Sequence, residues 1–182
     1  MAGVLTSSPA EPHVEKRSVE AIIRTLNEAG VRYLIVGGLA VVAHGYLRFT
    51  VDVDLFLDFR EDNLRRAVAA LQSLDYRPRA PVDFEEFIDP SNRSRWIAEE
   101  GLTVFSLFSS TQPETEVNLI VEPPFEIDRA YAAAARMELA PTLVATFVGF
   151  DDLVFLKRKA GRPLDIDDIN QLQIARDKPT HG

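Results

Sequence analysis

The chain has 182 residues, 46% of them hydrophobic, enough to bury the core of one domain. Lys and Arg number 20 against 28 Asp and Glu, and the net charge of −8 disfavours nonspecific nucleic-acid binding while leaving room for a local basic patch. Cysteine is absent, which excludes a disulfide framework and a thiolate metal site.

Residues 1–14, with their Pro and Ser, read as a flexible tail that lacks the basic start and sustained apolar core of a signal peptide. Residues 15–182 are expected to form a single domain whose C-terminal part, 149–182, is helical. The longest apolar stretch, residues 34–43, is broken by two glycines and is about half of the roughly 20 residues that span a bilayer. The expectation is a soluble, cytoplasmic protein with no membrane partner.

Val19, Ile22, Ile23 and Leu26 recur at helical spacing and predict a helix over residues 15–29, stopped by Gly30. Residues 31–36 are β-branched and aromatic, and read as a buried strand. Gly37 and Gly38 break it, and a short helix over 39–45 would point its free first-turn N–H groups back toward the strand end. That geometry suits a phosphate, and a plain tight turn has the same sequence. The next apolar run carries Asp52 and Asp54. Strand alternation sends Val51, Val53 and Leu55 to one face and both carboxylates to the other, roughly 7 Å apart along the chain. Like charges at that spacing repel unless a cation or basic group lies between them. Arg48 either holds a phosphate or neutralises the two aspartates directly, and His44, with no partner at metal-ligand spacing, reads as a packing residue.

Further on, residues 61–74 form an amphipathic helix with Arg65 and Arg66 on its solvated face. Pro78, Pro81 and Pro90 mark residues 76–92 as a turn-rich connection with one short helix near 83–87. Arg93, Arg95 and Trp96 open a helix that ends before Gly101, and Trp96 either stacks a base or caps a core edge. Strands are expected at 102–108 and 116–121; in the second, Glu116, Asn118 and Ile120 share a face that would complete a site if it turned toward the aspartates. An alanine-rich helix at 125–135, short strands at 137–139 and 143–148, and helices at 151–159 and 164–176 follow, with Pro163 suited to a first helical position. The run Lys157, Arg158, Lys159 reads as a solvated helix face or, with Arg162, as a phosphate patch.

The Gly37-Gly38 pair followed on the next strand by Asp52-x-Asp54 resembles the signature of the DNA polymerase β-like nucleotidyltransferase superfamily. The segments GGLAVVAHGYLRFTVDVDL, EVNLIVEPPFE and DDLVFLKRKAGRPLDIDDINQL are similar to its small stand-alone members, including those of the abortive-infection toxin (AbiEii-like) type. The similarity spans residues 31–172. It implies an α/β fold, a mixed β-sheet flanked by helices with C-terminal helices beyond, and Mg²⁺ or Mn²⁺ held by Asp52 and Asp54. It also implies a nucleoside triphosphate such as ATP, with Gly37, Gly38, Arg48 and Lys157 toward its phosphates and Asp165 or Asp168 as the acid that follows the late lysine. The reaction implied is transfer of an NMP to an acceptor hydroxyl on RNA, a protein or a small molecule with release of pyrophosphate; a toxin–antitoxin member would add a partner protein. One position departs from the pattern. Active members carry a third carboxylate where this chain has Asn118, whose amide is a weaker metal ligand and accepts no proton at neutral pH. Either catalysis is reduced, or Glu116, about 7 Å away along the strand, takes the role. The rival reading is a non-catalytic nucleotide-binding or regulatory protein.

Overall fold

The computed structural model describes residues 13–177. Residues 1–12 of the expected tail lie outside the described residues, and 13–14 open the first helix. Among the described residues, seven strands form one mixed sheet: β1 (Tyr33–Val36), β2 (Val53–Leu57), β3 (Tyr76–Pro78), β4 (Val104–Ser109), β5 (Val117–Ile120), β6 (Ala135–Ala140) and β7 (Leu143–Phe147). Their spatial order is β3-β4-β5-β2-β1-β7-β6. The β1/β7 and β2/β5 pairs are parallel and the others antiparallel. Helices α1 (His13–Glu28), α2 (Gly37–Ala43), α3 (Glu61–Ser73), α4 (Pro90–Glu100), α5 (Ile127–Ala132), α6 (Phe150–Ala160) and α7 (Pro163–Asp177) flank it. The α/β class expected from the sequence is the one observed.

The two central strands explain their own composition. All four residues of β1 are buried, so the strand shows a continuous apolar run in place of alternation. In β2, Val53, Leu55, Phe56 and Leu57 are buried and Asp54 alone is half-buried. Ile22, Ile23 and Leu26 of α1 are fully buried, and α1 packs on α3 and β7. Helix α4 starts earlier than the sequence suggested because Asp89 caps it, accepting from the Ser91 N–H at 2.8 Å, with Pro90 as its first residue.

Two expectations are corrected. Residues 76–78 are not part of a turn-rich connection: they form β3, an edge strand paired with residues 107–109 of β4, where a proline is tolerated because an edge leaves one side of the ladder unpaired. The alanine-rich run at 125–135 is helical only over Ile127–Ala132, since pairing of Ala135 with Phe147 draws the chain into β6 and overrides its helix propensity. Of the two readings of Trp96, the core-edge one is observed: the ring is 4% exposed and stacked on Phe105 at 5.3 Å.

Asn63 ties the central strands to α3. Its Oδ1 accepts from the Arg32 N–H at 2.7 Å, and its Nδ2 donates to the carbonyls of Arg32 and Asp58 at 3.0 and 2.9 Å. These are backbone groups of the segments entering β1 and leaving β2, closed off by one fully buried amide. Asn63→Ala strands all three, and urea denaturation is expected to show a stability loss of about 3 kcal/mol.

Candidate active site

Val36 pairs with Asp54 across β1 and β2, so the turn into α2 is pressed against that carboxylate. Gly37 adopts φ +65°, and a Cβ there would overlap the Asp54 Oδ2. A Cβ on Gly38 would overlap Thr50 Oγ1 and lie 2.7 Å from the Arg48 guanidinium. The two glycines form the first turn of α2, in place of preceding it as expected. They are required because three polar side chains close in on the backbone there.

The register of the sheet sets the next group. Asp54 of β2 lies opposite Asn118 of β5, and Asn118 lies opposite Ser106 of β4. Ser106 Oγ donates to Asn118 Oδ1 at 2.7 Å, which turns the amide so that Nδ2 donates to Asp54 Oδ1 at 3.1 Å. Burial raises the Asp54 carboxyl above the ordinary carboxylate range; the Asn118 hydrogen bond opposes this, the charge of Asp52 adds to it, and Lys157 and the Gly38 N–H oppose it. Asp52 directly precedes β2 and lines the same cavity, of about 490 Å³.

The opposite wall is a buried ionic chain from α6, α7 and the loop after α2. Lys157 is 5% exposed, so it is not part of a solvated helix face, unlike Arg158 and Lys159 beside it. Its Nζ donates to Asp165 Oδ1 at 3.0 Å and Asp168 Oδ2 at 2.7 Å, both carboxylates being fully buried. Arg162 Nε donates to Asp165 Oδ2 at 2.6 Å. Arg48 does not pair with Asp52 or Asp54; its Nε lies 3.5 Å from Asp168 Oδ1, and neither atom has a hydrogen bond. Three cations thus share two anions, and Arg48, Lys157, Arg162 and Asp165 all line the cavity. Burial alone would raise the Asp165 carboxyl, but hydrogen bonds from Arg162 and Lys157 hold it down at about 2.

Gly37, Gly38, Arg48, Asp52, Asp54, Asn118, Lys157 and Asp165 therefore meet at one cavity, and Asp168 supports it from below. Glu116 does not join them. It precedes β5, its carboxylate pairs with Arg79, and its carbonyl accepts from the Val53 N–H at 2.8 Å. His44 packs as expected, with Nε2 2.8 Å from the Val148 carbonyl and its ring edge-on to Phe150. Ser106 was not legible in the sequence, since only the β4/β5 register brings it to Asn118. No group of three His, Asp or Glu side chains forms a metal cage among the described residues.

No protein-family model matches the chain, and no curated protein is similar to it in sequence. Solved structures are similar in fold. A lincosamide antibiotic adenylyltransferase, LnuA, in its lincomycin-bound crystal structure, superimposes with a TM-score of 0.57 at 12% identity, covering 86% of this chain and 95% of that one. An antigenic nucleotidyltransferase-like protein from Paracoccidioides brasiliensis gives 0.55 at 15% identity, covering 91% and 78%. The fold is the one these nucleotidyltransferase structures have.

The ionic chain has a pH signature. An unfolded Asp titrates near 3.9 and Asp165 at about 2, so its contribution is full above roughly pH 4 and is lost as pH falls toward the folded value. Urea melts between pH 5 and pH 2.5 are expected to show this acid limb, and Asp165→Asn to flatten it while costing about 3 kcal/mol at pH 7, because Lys157 and Arg162 lose a buried partner.

Proposed function

We propose that this chain is a nucleotidyltransferase of the DNA polymerase β-like type, transferring an NMP from a nucleoside triphosphate to an acceptor hydroxyl. The observation that carries the reading is the meeting of Asp52 and Asp54 with the Gly37-Gly38 turn and with Arg48, Lys157 and Arg162 around one cavity. Carboxylates facing cations across an open space match a metal-bound triphosphate: metal on one side, phosphate oxygens on the other. One neighbour of the same fold is named as an adenylyltransferase, the activity proposed here. Placement with the stand-alone, abortive-infection-toxin type rests on the sequence likeness of residues 37–55, 116–126 and 151–172.

The donor set fits Mg²⁺ or Mn²⁺. Asp52 and Asp54 have no ion-pair partner among the described residues, and Asp54 carries a raised pKa partly because Asp52 faces it, so a cation between them relieves both. Two carboxylates are the protein share that Mg²⁺ takes when phosphates and water complete its shell. When bound, the ion neutralises charge on the phosphoryl oxygens. The chain's own residues do the positioning. Lys157 and Arg162, held by Asp165, fix the triphosphate, the Gly38 N–H steadies the Asp54 carboxylate, and Leu153, Leu156 and Leu164 offer the base an apolar wall. Asn118 holds the Asp54 carboxylate in place through its amide N–H, a positioning role that needs no third carboxylate. The acceptor oxygen forms a bond to the α-phosphorus as the bond to pyrophosphate breaks; the electron pair leaves with pyrophosphate and the hydroxyl proton passes to water. Alignment and fixed charge supply the rate enhancement.

Calorimetry with a nonhydrolysable ATP analogue is expected to show Mg²⁺-dependent binding that weakens about 100-fold, or roughly 2.7 kcal/mol, in Asp54→Ala. Incubation with α-labelled NTPs and a cell lysate is expected to label an acceptor in the wild type and not in Asp52→Ala or Asp54→Ala. Equal labelling by all three proteins would overturn the proposal.

A further inference from the structure

The sheet ends differently at its two edges. At one, β3 is three residues long and finishes on Pro78, which leaves little ladder for another chain to pair with. At the other, β6 runs for six residues without a proline, and among the described residues no strand lies beyond it. Strand β7 fixes the direction in which the β6 backbone points. Just past β7, the Val148 N–H donates to the Ile35 carbonyl of β1 at 2.9 Å. Backbone groups alternate sides along a strand, so those of Thr146 and Val144 also face away from β6. The Val144 carbonyl accepts from Asn27 Nδ2 at 2.8 Å on that side. Arg136 lies opposite Thr146, and Glu138 opposite Val144. Both are therefore non-hydrogen-bonded pairs, and the N–H and C=O groups of Arg136 and Glu138 point out from the free edge.

The side chains of these two residues carry opposite charges. Arg136 and Glu138 are exposed on one face of β6, while Ala135, Met137 and Leu139 are half-buried on the other and pack against the core. The Arg136 guanidinium lies 5.0 Å from the Tyr131 ring, and Glu138 Oε1 accepts from the Thr142 N–H at 3.2 Å. Neither side chain has an ion pair among the described residues. A second β6 running antiparallel about a two-fold axis at Met137 sets Arg136 opposite Glu138 of the partner subunit, and Glu138 opposite the partner subunit's Arg136. Outward backbone groups then meet, so each pair exchanges N–H···O bonds with roughly 5.5 Å between Cα atoms and brings opposite charges together. Shifting the register by two residues keeps outward groups facing each other but sets Glu138 against Glu138, or Arg136 against Arg136. Shifting it by one sets an outward-facing residue against one whose backbone points inward. The charges thus select the register centred on Met137.

We infer that β6 is a self-association edge whose partner is a second copy of this chain, joined antiparallel through Arg136 and Glu138 into one sheet continuous across both copies. A foreign strand would be held by backbone groups alone; the self-complementary charges favour the chain's own β6. The register irregularity between Glu138 and Ala140 bends the strand beyond this pair and confines the joint to the stretch around Met137. The nucleotide cavity is built on β1, β2 and β5, with β7 between it and this edge, so it stays open in both copies.

Sedimentation equilibrium of the full chain between about 1 and about 100 µM is expected to show a monomer–dimer equilibrium that weakens with added NaCl, because the charge pairs are exposed. Arg136→Glu and Glu138→Arg each set like charges across the axis, and each is expected to weaken the dimer at least tenfold. The variant carrying both changes restores opposite charges and is expected to recover wild-type association, so a loss caused by misfolding is told apart from a loss of pairing. An equal mixture of the two single variants is expected to form a heterodimer tighter than either variant with itself. Neither residue lines the nucleotide cavity, and binding of the ATP analogue is expected to be unchanged throughout. The chain has no cysteine, so Met137→Cys sets a single thiol on the axis opposite its own copy, within disulfide reach. Mild oxidation is expected to crosslink it, and to leave Glu138→Cys uncrosslinked. A monomer at every concentration, a dimer indifferent to the charge variants, or crosslinking through Glu138→Cys in place of Met137→Cys overturns the inference.

Discussion

The pairing of Val36 with Asp54 is the constraint from which the rest of the cavity follows. It presses a carboxylate against a strand-to-helix turn, and the turn answers with two residues that have no Cβ to collide with Asp54, Thr50 and Arg48. The same strand carries Asp54 to the parallel neighbour β5, where Asn118 meets it, and through Asn118 to Ser106 on β4. Holding an ionisable group there is unfavourable in itself. Burial and the charge of Asp52 push toward the protonated acid, while an amide donor, a backbone N–H and Lys157 push back. A site arranged in this way costs the protein stability.

The far wall meets the opposite problem. Lys157 must stay charged inside the protein, and Asp165 and Asp168, both fully buried, supply the counter-charge, with the exposed Arg162 reaching Asp165 from the surface. Desolvation cancels much of the attraction in such a chain, so its net stability is small even though breaking it is costly. Its consequence is geometric. Lys157 is held by α6 and the start of α7 at a fixed place beside the cavity, and its buried side chain has little rotamer freedom left. Arg48 and Asp168, 3.5 Å apart and each with a buried atom lacking a hydrogen bond, are the loose link of the chain.

Legibility followed sequence distance. Gly37-Gly38 and Asp52-x-Asp54 lie within one strand–helix–strand unit, where alternation and glycine placement identify the residues and their faces. The late Lys157 and its following acids were legible through resemblance to a known family, although charge alone made Lys157 a surface residue and burial placed it inside. Edge strand β3 was hidden because three residues around a proline carry no readable period. Glu116 and Asn118 share a strand parity, which made them look exchangeable, and Arg79 captures the first while Ser106 orients the second.

By itself, the sequence determined the α/β class, the buried central strands, the two glycines and the pair of aspartates, because hydrophobic period, backbone freedom and charge spacing are local properties. Tertiary structure alone decided which partner each charge takes: Arg48 with Asp168 in place of the aspartates, Glu116 with Arg79, and Asn118 turned by Ser106 toward Asp54. Those choices depend on strand register and helix docking between residues tens of positions apart, and burial weights them by desolvation, which no local pattern encodes.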